Sequence, residues 1–317
     1  MNKKINIVVL DKKTLGDDIN FESFKKLGDV IEYDITPPEK VKERVMFADV
    51  IIVNKIILNG TNLNAYNKLI CVAATGFDNI DTDYCKQNGI AVCNVRGYSS
   101  DSVAQVTVSL VLALVCHINE YNLHVKSGAY TLSGVQNSLV PVYHEIKSLT
   151  WGIMGYGGIG KKVAEIAKAF GCKVIVYKKH KDVPECVTLN ELLMQSDILT
   201  IHIPLNNETR HIINKDNINL LKPNCILVNM ARGAVTDEKA VADAICDKKI
   251  AGFACDVYEV EPLLRQSPIY AIKDYKNVLL TPHMSWGAYE SRSRCINEIY
   301  KNIDCFLNGS IHNRVEL

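Results

Sequence analysis

The chain has 317 residues, with 36 Lys and Arg against 35 Asp and Glu. This length allows two domains that each bury a core of their own, and the balanced charge argues against nucleic acid or an anionic membrane as a partner. The eleven cysteines form no CxxC pair, and the longest apolar stretch, 106–116, is too short to span a membrane. A cytoplasmic protein with reduced thiols is therefore expected, and no metal site is predicted.

The first hundred residues alternate short apolar runs with polar or helix-like segments, which is typical of an α/β domain. These runs lie at 5–10, 50–53, 69–74 and 90–95. Apolar residues then recur at helical spacing over 102–127, beyond the length of a usual globular helix. This segment predicts one long helix at a domain boundary or a subunit contact.

From residue 151 onward the pattern becomes regular and predicts a doubly wound parallel sheet. The strand candidates are 151–154, 173–177, 198–203, 226–229, 251–255 and 278–281. Helical patterns such as 161–170 and 238–248 separate them, and 288–307 predicts a final amphipathic helix.

A glycine-rich motif, Gly155-Tyr156-Gly157-Gly158-Ile159-Gly160, follows the strand candidate 151–154 and opens a predicted helix. A glycine-rich turn without a ligand is the alternative interpretation. The strand, turn and helix context instead favours a dinucleotide, whose pyrophosphate approaches the backbone and the positive end of the helix.

Charged side chains follow three of the later strands, where an open α/β sheet binds its ligands. Arg232 follows 226–229, Asp256 and Glu261 follow 251–255, and His283 follows 278–281. Reduction of a 2-keto acid needs a proton donor at the carbonyl, which suits His283 paired with Glu261, and a cation for the carboxylate, which suits Arg232. Asp256 could orient the nicotinamide. The alternatives are a structural Arg232–Asp256 ion pair, a solvated Glu261 and a turn histidine.

The motif and several later segments resemble, in order and spacing, the D-isomer-specific 2-hydroxyacid dehydrogenases over essentially the whole chain. These segments are His202-Ile203-Pro204, 229–233, 256–262, Thr281-Pro282-His283, 72–76 and 101–105. The resemblance implies that Arg232, Glu261 and His283 form the catalytic set. It also implies a homodimer, and a Rossmann-type cofactor domain (100–286) inserted in a smaller flavodoxin-like α/β substrate domain (1–99 plus 287–317).

The same resemblance assigns residues to the two ligands. Those predicted to bind the cofactor are Thr107, Gly155, Gly157, Gly158, Ile159, Gly160, Pro204, Thr209, Met230, Ala231, Arg232, Asp256 and His283. Those predicted to bind the substrate are Ala74, Thr75, Gly76, Arg232, His283 and Trp286.

Residues 283–286 and 95–99 are most similar to the glycerate dehydrogenase and hydroxypyruvate or glyoxylate reductase branch of that family. Trp286 either narrows the pocket toward small substrates or packs the hinge. A dehydrogenase for D-lactate or branched D-2-hydroxy acids and a non-enzymatic dinucleotide sensor of the corepressor type remain alternatives. The Glu261–His283 pair argues against a formate dehydrogenase, which needs no proton donor.

The strand 173–177 ends in Lys178-Lys179-His180-Lys181, where NAD-specific proteins carry an acidic residue that binds the adenosine ribose. The first carboxylate, Asp182, comes late. Lys178 and Lys179 could pair with the 2′-phosphate of NADP, so NADP(H) is favoured over NAD(H). The alternative is a solvated charge run that leaves NAD(H) binding intact.

Overall fold

The computed structural model describes residues 4–179 and 183–317. The chain forms two compact units, unit 1 (Met1–Ser99 and Gly287–Leu317) and unit 2 (Ser100–Trp286).

The strands are β1 (Ile5–Val9), β2 (Gly28–Glu32), β3 (Val50–Val53), β4 (Leu69–Val72), β5 (Ala91–Cys93), β6 (Thr150–Met154), β7 (Lys173–Tyr177), β8 (Ile198–Ile201), β9 (Ile226–Asn229), β10 (Gly252–Cys255) and β11 (Val278–Leu280).

Helices cover the strands of both units. They are α1 (Val41–Val45), α2 (Thr82–Gln87), α3 (Ser100–Val115), α4 (Ile118–Lys126), α5 (Ala129–Leu132), α6 (Gly158–Ala169), α7 (Leu189–Gln195), α8 (Glu238–Cys246), α9 (Pro268–Ala271) and α10 (Tyr289–Leu307). Short 3-10 segments occur at 12–15, 22–26, 38–40, 218–220 and 233–235.

Unit 1 contains a parallel sheet in the order β2-β1-β3-β4-β5, the flavodoxin-like arrangement. Its inner strands, such as β3 and β4, are buried along their whole length. The edge strand β2 was not predicted, because its side chains alternate in exposure and form no continuous apolar run. Helix α10 packs on this sheet through buried residues that include Ile299 and Ile303.

Unit 2 contains the predicted doubly wound parallel sheet, in the order β11-β10-β9-β8-β6-β7. Its strands lie at the predicted positions, with ends that differ by one or two residues. The strand order reverses at β6, which has β8 on one side and β7 on the other. The carboxyl ends at such a reversal are where open α/β sheets bind ligands.

The prediction of one long helix over 102–127 is wrong, because α3 and α4 form a pair bent by 63°. His117 adopts a left-handed backbone (φ 52°) between them, a common way for a helix to end. The apolar spacing continues through the break, but the two helices use it differently. Helix α3 buries its apolar residues in unit 2, whereas no residue of α4 is buried. In the described part of the chain no single helix is long and apolar enough to cross a membrane, and α3 with α4 meets that test only as a bent pair.

All eleven cysteines are free thiols. Burial raises the pKa of Cys225 and Cys295 to about 12, so these side chains stay protonated and act as small apolar core residues.

Candidate active site

Three neighbouring strands of unit 2 end in loops that carry the predicted catalytic residues. Strands β9, β10 and β11 are adjacent and parallel, so their carboxyl ends meet at one edge of the sheet. Arg232 follows β9, Glu261 follows β10 and His283 follows β11. Strands β9 and β10 are buried along their whole length, whereas the edge strand β11 is partly exposed, and the polar residues follow the strand ends.

His283 and Glu261 form a close pair, with 2.6 Å between Nδ1 of the imidazole and Oε2 of the carboxylate. An ionised carboxylate only accepts hydrogen bonds, so Nδ1 carries the hydrogen and Nε2 is the nitrogen that can exchange a proton with a ligand. The His283 side chain is 22% exposed, so a ligand can reach it. The pair therefore has the arrangement of a general acid and its orienting partner.

Asp256 fixes the backbone that carries His283. It is 1% exposed, and its carboxylate accepts hydrogen bonds from the Thr281 hydroxyl (2.6 Å) and from the backbone N–H groups of Met284 and Ser285 (2.9 Å each). His283 itself has a positive φ of 53°, which L residues rarely adopt and which costs free energy. The contacts of Asp256 on both sides of His283 offset that cost, and its predicted contact with the nicotinamide stays a prediction.

The turn that carries Arg232 is closed by Asn229, the last residue of β9. The buried Asn229 side chain donates to the Arg232 carbonyl oxygen (3.0 Å) and accepts from the Ala231 N–H (3.1 Å). A Cβ on Gly233 would stand 1.9 Å from the Tyr258 carbonyl carbon, so the backbones of the Arg232 and Glu261 loops are in direct contact. Only glycine permits that approach.

His202, which directly follows β8, is unsuited to proton transfer. Burial lowers its pKa to about 3, and neither ring nitrogen has a hydrogen-bond partner among the described residues. A neutral imidazole whose two ring nitrogens are buried is a poor acid near neutral pH. Of these two histidines, His283 is therefore the candidate acid.

The glycine motif after β6 has the shape of a dinucleotide cradle. Gly155 has a φ of 99°, and a Cβ there would stand 2.7 Å from the His202 carbonyl carbon. A Cβ on Gly160 would stand 2.0 Å from the Gly155 carbonyl oxygen, whereas a Cβ on Gly157 would meet no heavy atom of the described residues within 4 Å. Gly155 and Gly160 are thus needed because other backbone atoms lie too close for a side chain. Gly157 instead leaves open space at the start of α6, where backbone N–H groups and the helix dipole favour a pyrophosphate.

The lysines predicted to select the cofactor follow β7 directly. Tyr177, the last residue of β7, accepts a hydrogen bond from the Gly155 N–H (2.8 Å), so Lys178 starts beside the glycine motif. Lys179 pairs with Glu208 at 2.8 Å, and both side chains are about 70% exposed. His180, Lys181 and Asp182, on which part of the cofactor prediction depended, lie outside the described residues.

The other predicted cofactor residues belong to unit 2 but differ in exposure. Met230 and Ala231 are buried after β9, Ile159 is half-buried and Pro204 is exposed. The hydroxyl of Thr209 donates to the Pro204 carbonyl oxygen (2.7 Å), and that of the fully buried Thr107 donates to the Val103 carbonyl oxygen (2.7 Å). These contacts hold the two threonines in place, and their predicted contact with a cofactor stays a prediction.

The predicted substrate loop, Ala74, Thr75 and Gly76, follows β4 in unit 1. It is tied to the segment after β5, since Thr75 donates to the Val95 carbonyl oxygen (2.8 Å) and accepts from the Asn94 side chain (2.7 Å). The backbone N–H groups of Thr75 and Gly76 have no hydrogen-bond partner in the part of the chain that the structure describes. Such groups in a loop favour an anion.

Trp286, also predicted to contact the substrate, is half-buried and packs against a hydrophobic cluster of unit 2. This contact agrees with the packing alternative, and the role in the pocket stays a prediction.

Sequence reasoning included Asn229, Tyr258 and Thr281 in family-like segments but gave them no role, and in the structure they hold the predicted catalytic residues in place. The Tyr258 hydroxyl donates to the Thr281 carbonyl oxygen (2.9 Å), and burial raises its pKa, so it stays a neutral donor. Asn229 ends an apolar strand and Thr281 directly follows another, and these positions, with the family-like segments around them, were the signal in the sequence.

Comparison with known proteins agrees with this geometry. Residues 108–285 match the family model described as D-isomer specific 2-hydroxyacid dehydrogenase, NAD binding domain. The chain is 33% identical to a hydroxypyruvate reductase of Blautia hydrogenotrophica, over 96% of this chain and 98% of the relative. It is also 33% identical to a glycerate dehydrogenase of Methylorubrum extorquens, over the full length of both.

Two solved structures have the same fold. An acyclic imino acid reductase in complex with NADPH and D-Arg has a TM-score of 0.87 and 28% identity, over 98% of this chain and 100% of that one. A D-lactate dehydrogenase from Aquifex aeolicus, complexed with NAD and lactic acid, has a TM-score of 0.84 and 31% identity, over 98% and 99%. The glycine cradle, the His283–Glu261 pair and these matches lead to one conclusion: the chain belongs to the D-isomer specific 2-hydroxyacid dehydrogenase family, and it is an enzyme that uses a nicotinamide dinucleotide.

Proposed function

We propose that the enzyme reduces hydroxypyruvate or glyoxylate, and in the reverse direction oxidises D-glycerate or glycolate. The observation that carries this proposal is the 2.6 Å His283–Glu261 pair on the sheet edge that also carries Arg232. The relatives named hydroxypyruvate reductase and glycerate dehydrogenase, which match nearly the whole chain, support the choice of substrate.

Each catalytic residue has one task in this proposal. A bound nicotinamide supplies or accepts the hydride. His283 donates a proton from Nε2 to the carbonyl oxygen as negative charge develops there, and Glu261 stabilises the charged imidazole through Nδ1. Arg232 binds the substrate carboxylate, because its planar guanidinium offers two parallel donors. When the hydroxy acid is oxidised, His283 accepts the hydroxyl proton instead.

We assign unit 2 to the cofactor and unit 1 to the substrate. The glycine cradle and the match of 108–285 to an NAD-binding domain model support the first assignment. The backbone N–H groups of Thr75 and Gly76, which have no partner among the described residues and suit an anion, support the second.

We propose NADPH as the preferred cofactor. Lys178 and Lys179 stand where an acidic residue would repel a 2′-phosphate, and one related structure contains NADPH. Another contains NAD, so the comparisons leave the choice to the residues of this chain.

We also propose a cytoplasmic homodimer. Nine large apolar side chains within residues 118–143 are at least half exposed, far more than one surface segment usually carries. They are Ile118, Leu123, Val125, Leu132, Val135, Leu139, Val140, Val142 and Tyr143. A second copy of the chain would bury them, and eleven free thiols suit a reducing compartment. Sedimentation of the wild type and of Leu132→Glu tests the dimer: equal masses would contradict a contact through this segment.

The substrate is tested by steady-state oxidation of NADPH and NADH with hydroxypyruvate, glyoxylate, pyruvate and a branched 2-keto acid. We expect the highest kcat/KM with hydroxypyruvate or glyoxylate. A preference for pyruvate or the branched acid would contradict the substrate choice, and no turnover with any keto acid would favour the dinucleotide sensor.

A further inference from the structure

The position of Glu261 depends on an irregular segment, residues 257–267, between β10 and α9. Parts of this segment face solvent, with Val260 53% and Leu264 38% exposed. A carboxylate on such a loop needs local support if it is to stay within hydrogen-bond distance of His283.

Glu238, the first residue of α8, contacts this segment near both of its ends. One carboxylate oxygen accepts a hydrogen bond from the backbone N–H of Glu259 (2.7 Å), and the other accepts one from the hydroxyl of Ser267 (2.6 Å). Glu238 is only 7% exposed, and burial of a carboxylate is costly unless its oxygens are hydrogen-bonded. The two contacts to the segment therefore stabilise both the carboxylate and the loop.

Helix α8 does not need this carboxylate as a cap. Asp237 is the N-cap residue, and its side chain accepts from the N–H groups of Lys239 (2.9 Å) and Ala240 (3.2 Å). The Glu238 side chain is thus directed to the Glu261 segment, although a negative charge in the first turn also suits the helix dipole.

The contact at Glu259 reaches the catalytic pair through one neighbouring residue. Tyr258 donates its backbone N–H to Oε1 of Glu261 (3.1 Å), and its hydroxyl donates to the Thr281 carbonyl oxygen in the His283 loop. Oε2 of Glu261 is then the oxygen that faces His283. A displacement of the 258–259 backbone would move both partners of the pair.

We propose that Glu238 is a positioning residue for the reaction, which holds the 257–267 segment so that Glu261 stays hydrogen-bonded to His283. The inference rests on the proposed acid and base role of that pair. It does not require any contact of Glu238 with substrate or cofactor.

The test compares four variants with the wild type. Glu238→Ala removes both contacts, and Glu238→Gln keeps side-chain atoms that can bond to both groups. Ser267→Ala removes one contact together with the N-cap hydrogen bond of α9 from the Ile269 N–H. Asp237→Ala is the matched control, because it weakens the start of the same helix without touching the segment. Thermal unfolding of all four shows how much of any effect is a loss of stability.

We expect Glu238→Ala to lower kcat by about tenfold to a hundredfold, because a misplacement of about 1 Å at a catalytic group can cost that much. The dissociation constant for the cofactor should stay within about twofold of wild type. Ser267→Ala should lie between this variant and the wild type, and Glu238→Gln should recover most of the activity. Asp237→Ala should lower the melting temperature and leave kcat unchanged.

A second readout does not need turnover. The Nδ1 proton of His283, donated at 2.6 Å to a carboxylate, should give a downfield proton NMR resonance that His283→Gln removes. That resonance should persist in Glu238→Gln and Asp237→Ala and be shifted or lost in Glu238→Ala. Wild-type kcat and an unchanged resonance in folded Glu238→Ala would overturn the inference, as would equal losses in Glu238→Ala and Asp237→Ala. A wild type that turns over no keto acid would instead contradict the proposed function, and the resonance would still decide the role of Glu238.

Discussion

The sheet of unit 2 carries predicted functional residues at two places, after β9–β11 and after β7, and the side-chain contacts at these two ends differ. At the β9–β11 end, the Asp256 carboxylate is 1% exposed and accepts three hydrogen bonds around His283. At the β7 end, Lys179 and Glu208 form a single ion pair with side chains that are 72% and 68% exposed. The first end is a buried polar network, and the second is a surface contact.

The difference indicates which property of the enzyme is easy to change. Buried networks fix side-chain positions because every lost hydrogen bond leaves an unsatisfied partner. An exposed ion pair contributes about 0–1 kcal/mol and is screened by salt. We therefore expect substitutions at the β9–β11 end to lower kcat or kcat/KM by at least about tenfold, and substitutions at the β7 end to alter only the choice of cofactor.

The largest effect is expected from His283→Ala. The variant should lower kcat about a hundredfold to ten-thousandfold, the usual contribution of general acid catalysis, and leave the dissociation constant for the cofactor nearly unchanged. Steady-state kinetics and a fluorescence titration with the cofactor measure the two quantities. A kcat close to wild type would remove His283 from the mechanism.

Arg232→Lys should have the next largest effect. Lysine keeps the charge but cannot form two parallel hydrogen bonds, so KM for the keto acid should rise and kcat should fall. Loss of one hydrogen bond to a charged group, about 1.5–3 kcal/mol, predicts a fall in kcat/KM of about tenfold to a hundredfold. If only the affinity for the cofactor changed, Arg232 would bind the cofactor and not the substrate. The β9–β11 end would then bind the cofactor as the β7 end does.

Lys178→Asp tests the β7 end. The wild type should have the higher kcat/KM with NADPH, and the variant should shift the NADPH to NADH ratio toward NADH by about tenfold, or 1.4 kcal/mol. The kcat with NADH should stay close to wild type, since the catalytic pair lies at the other end. A tenfold preference of the wild type for NADH, or an unchanged ratio in the variant, would show that the lysines do not select the cofactor.

The smallest effect is expected from Glu208→Gln. Glu208 holds Lys179 at 2.8 Å and so competes with a 2′-phosphate for that charge. Its removal should raise kcat/KM with NADPH by up to about fivefold, the limit set by a surface ion pair of about 1 kcal/mol, and leave the value with NADH unchanged. Asp243→Asn, which breaks the exposed Lys239–Asp243 pair on α8, is the control. An equal change in both variants would assign the effect to net charge alone.

Much of the fold could be predicted from the chain itself, together with a set of candidate catalytic residues. Fully buried strands such as β9 consist of apolar runs, and the residues that follow them are confined to the carboxyl edge of the sheet, which identified Arg232, Glu261 and His283. The edge strand β2 and the break at His117 were not predictable, because a half-exposed strand has no continuous apolar run and the break has no glycine or proline to mark it.

The sequence by itself determined the class of reaction, because a candidate proton donor, a carboxylate to pair with it, a guanidinium and a glycine motif are residue types at readable positions along the chain. Only the tertiary structure showed what holds them. The hydrogen bonds of Asp256 to Met284 and Ser285, of Glu238 to Glu259 and Ser267, and of Lys179 to Glu208 join residues 20 or more positions apart. Local sequence carries no signal for such contacts, because they depend on which loops the parallel strands bring to the same edge.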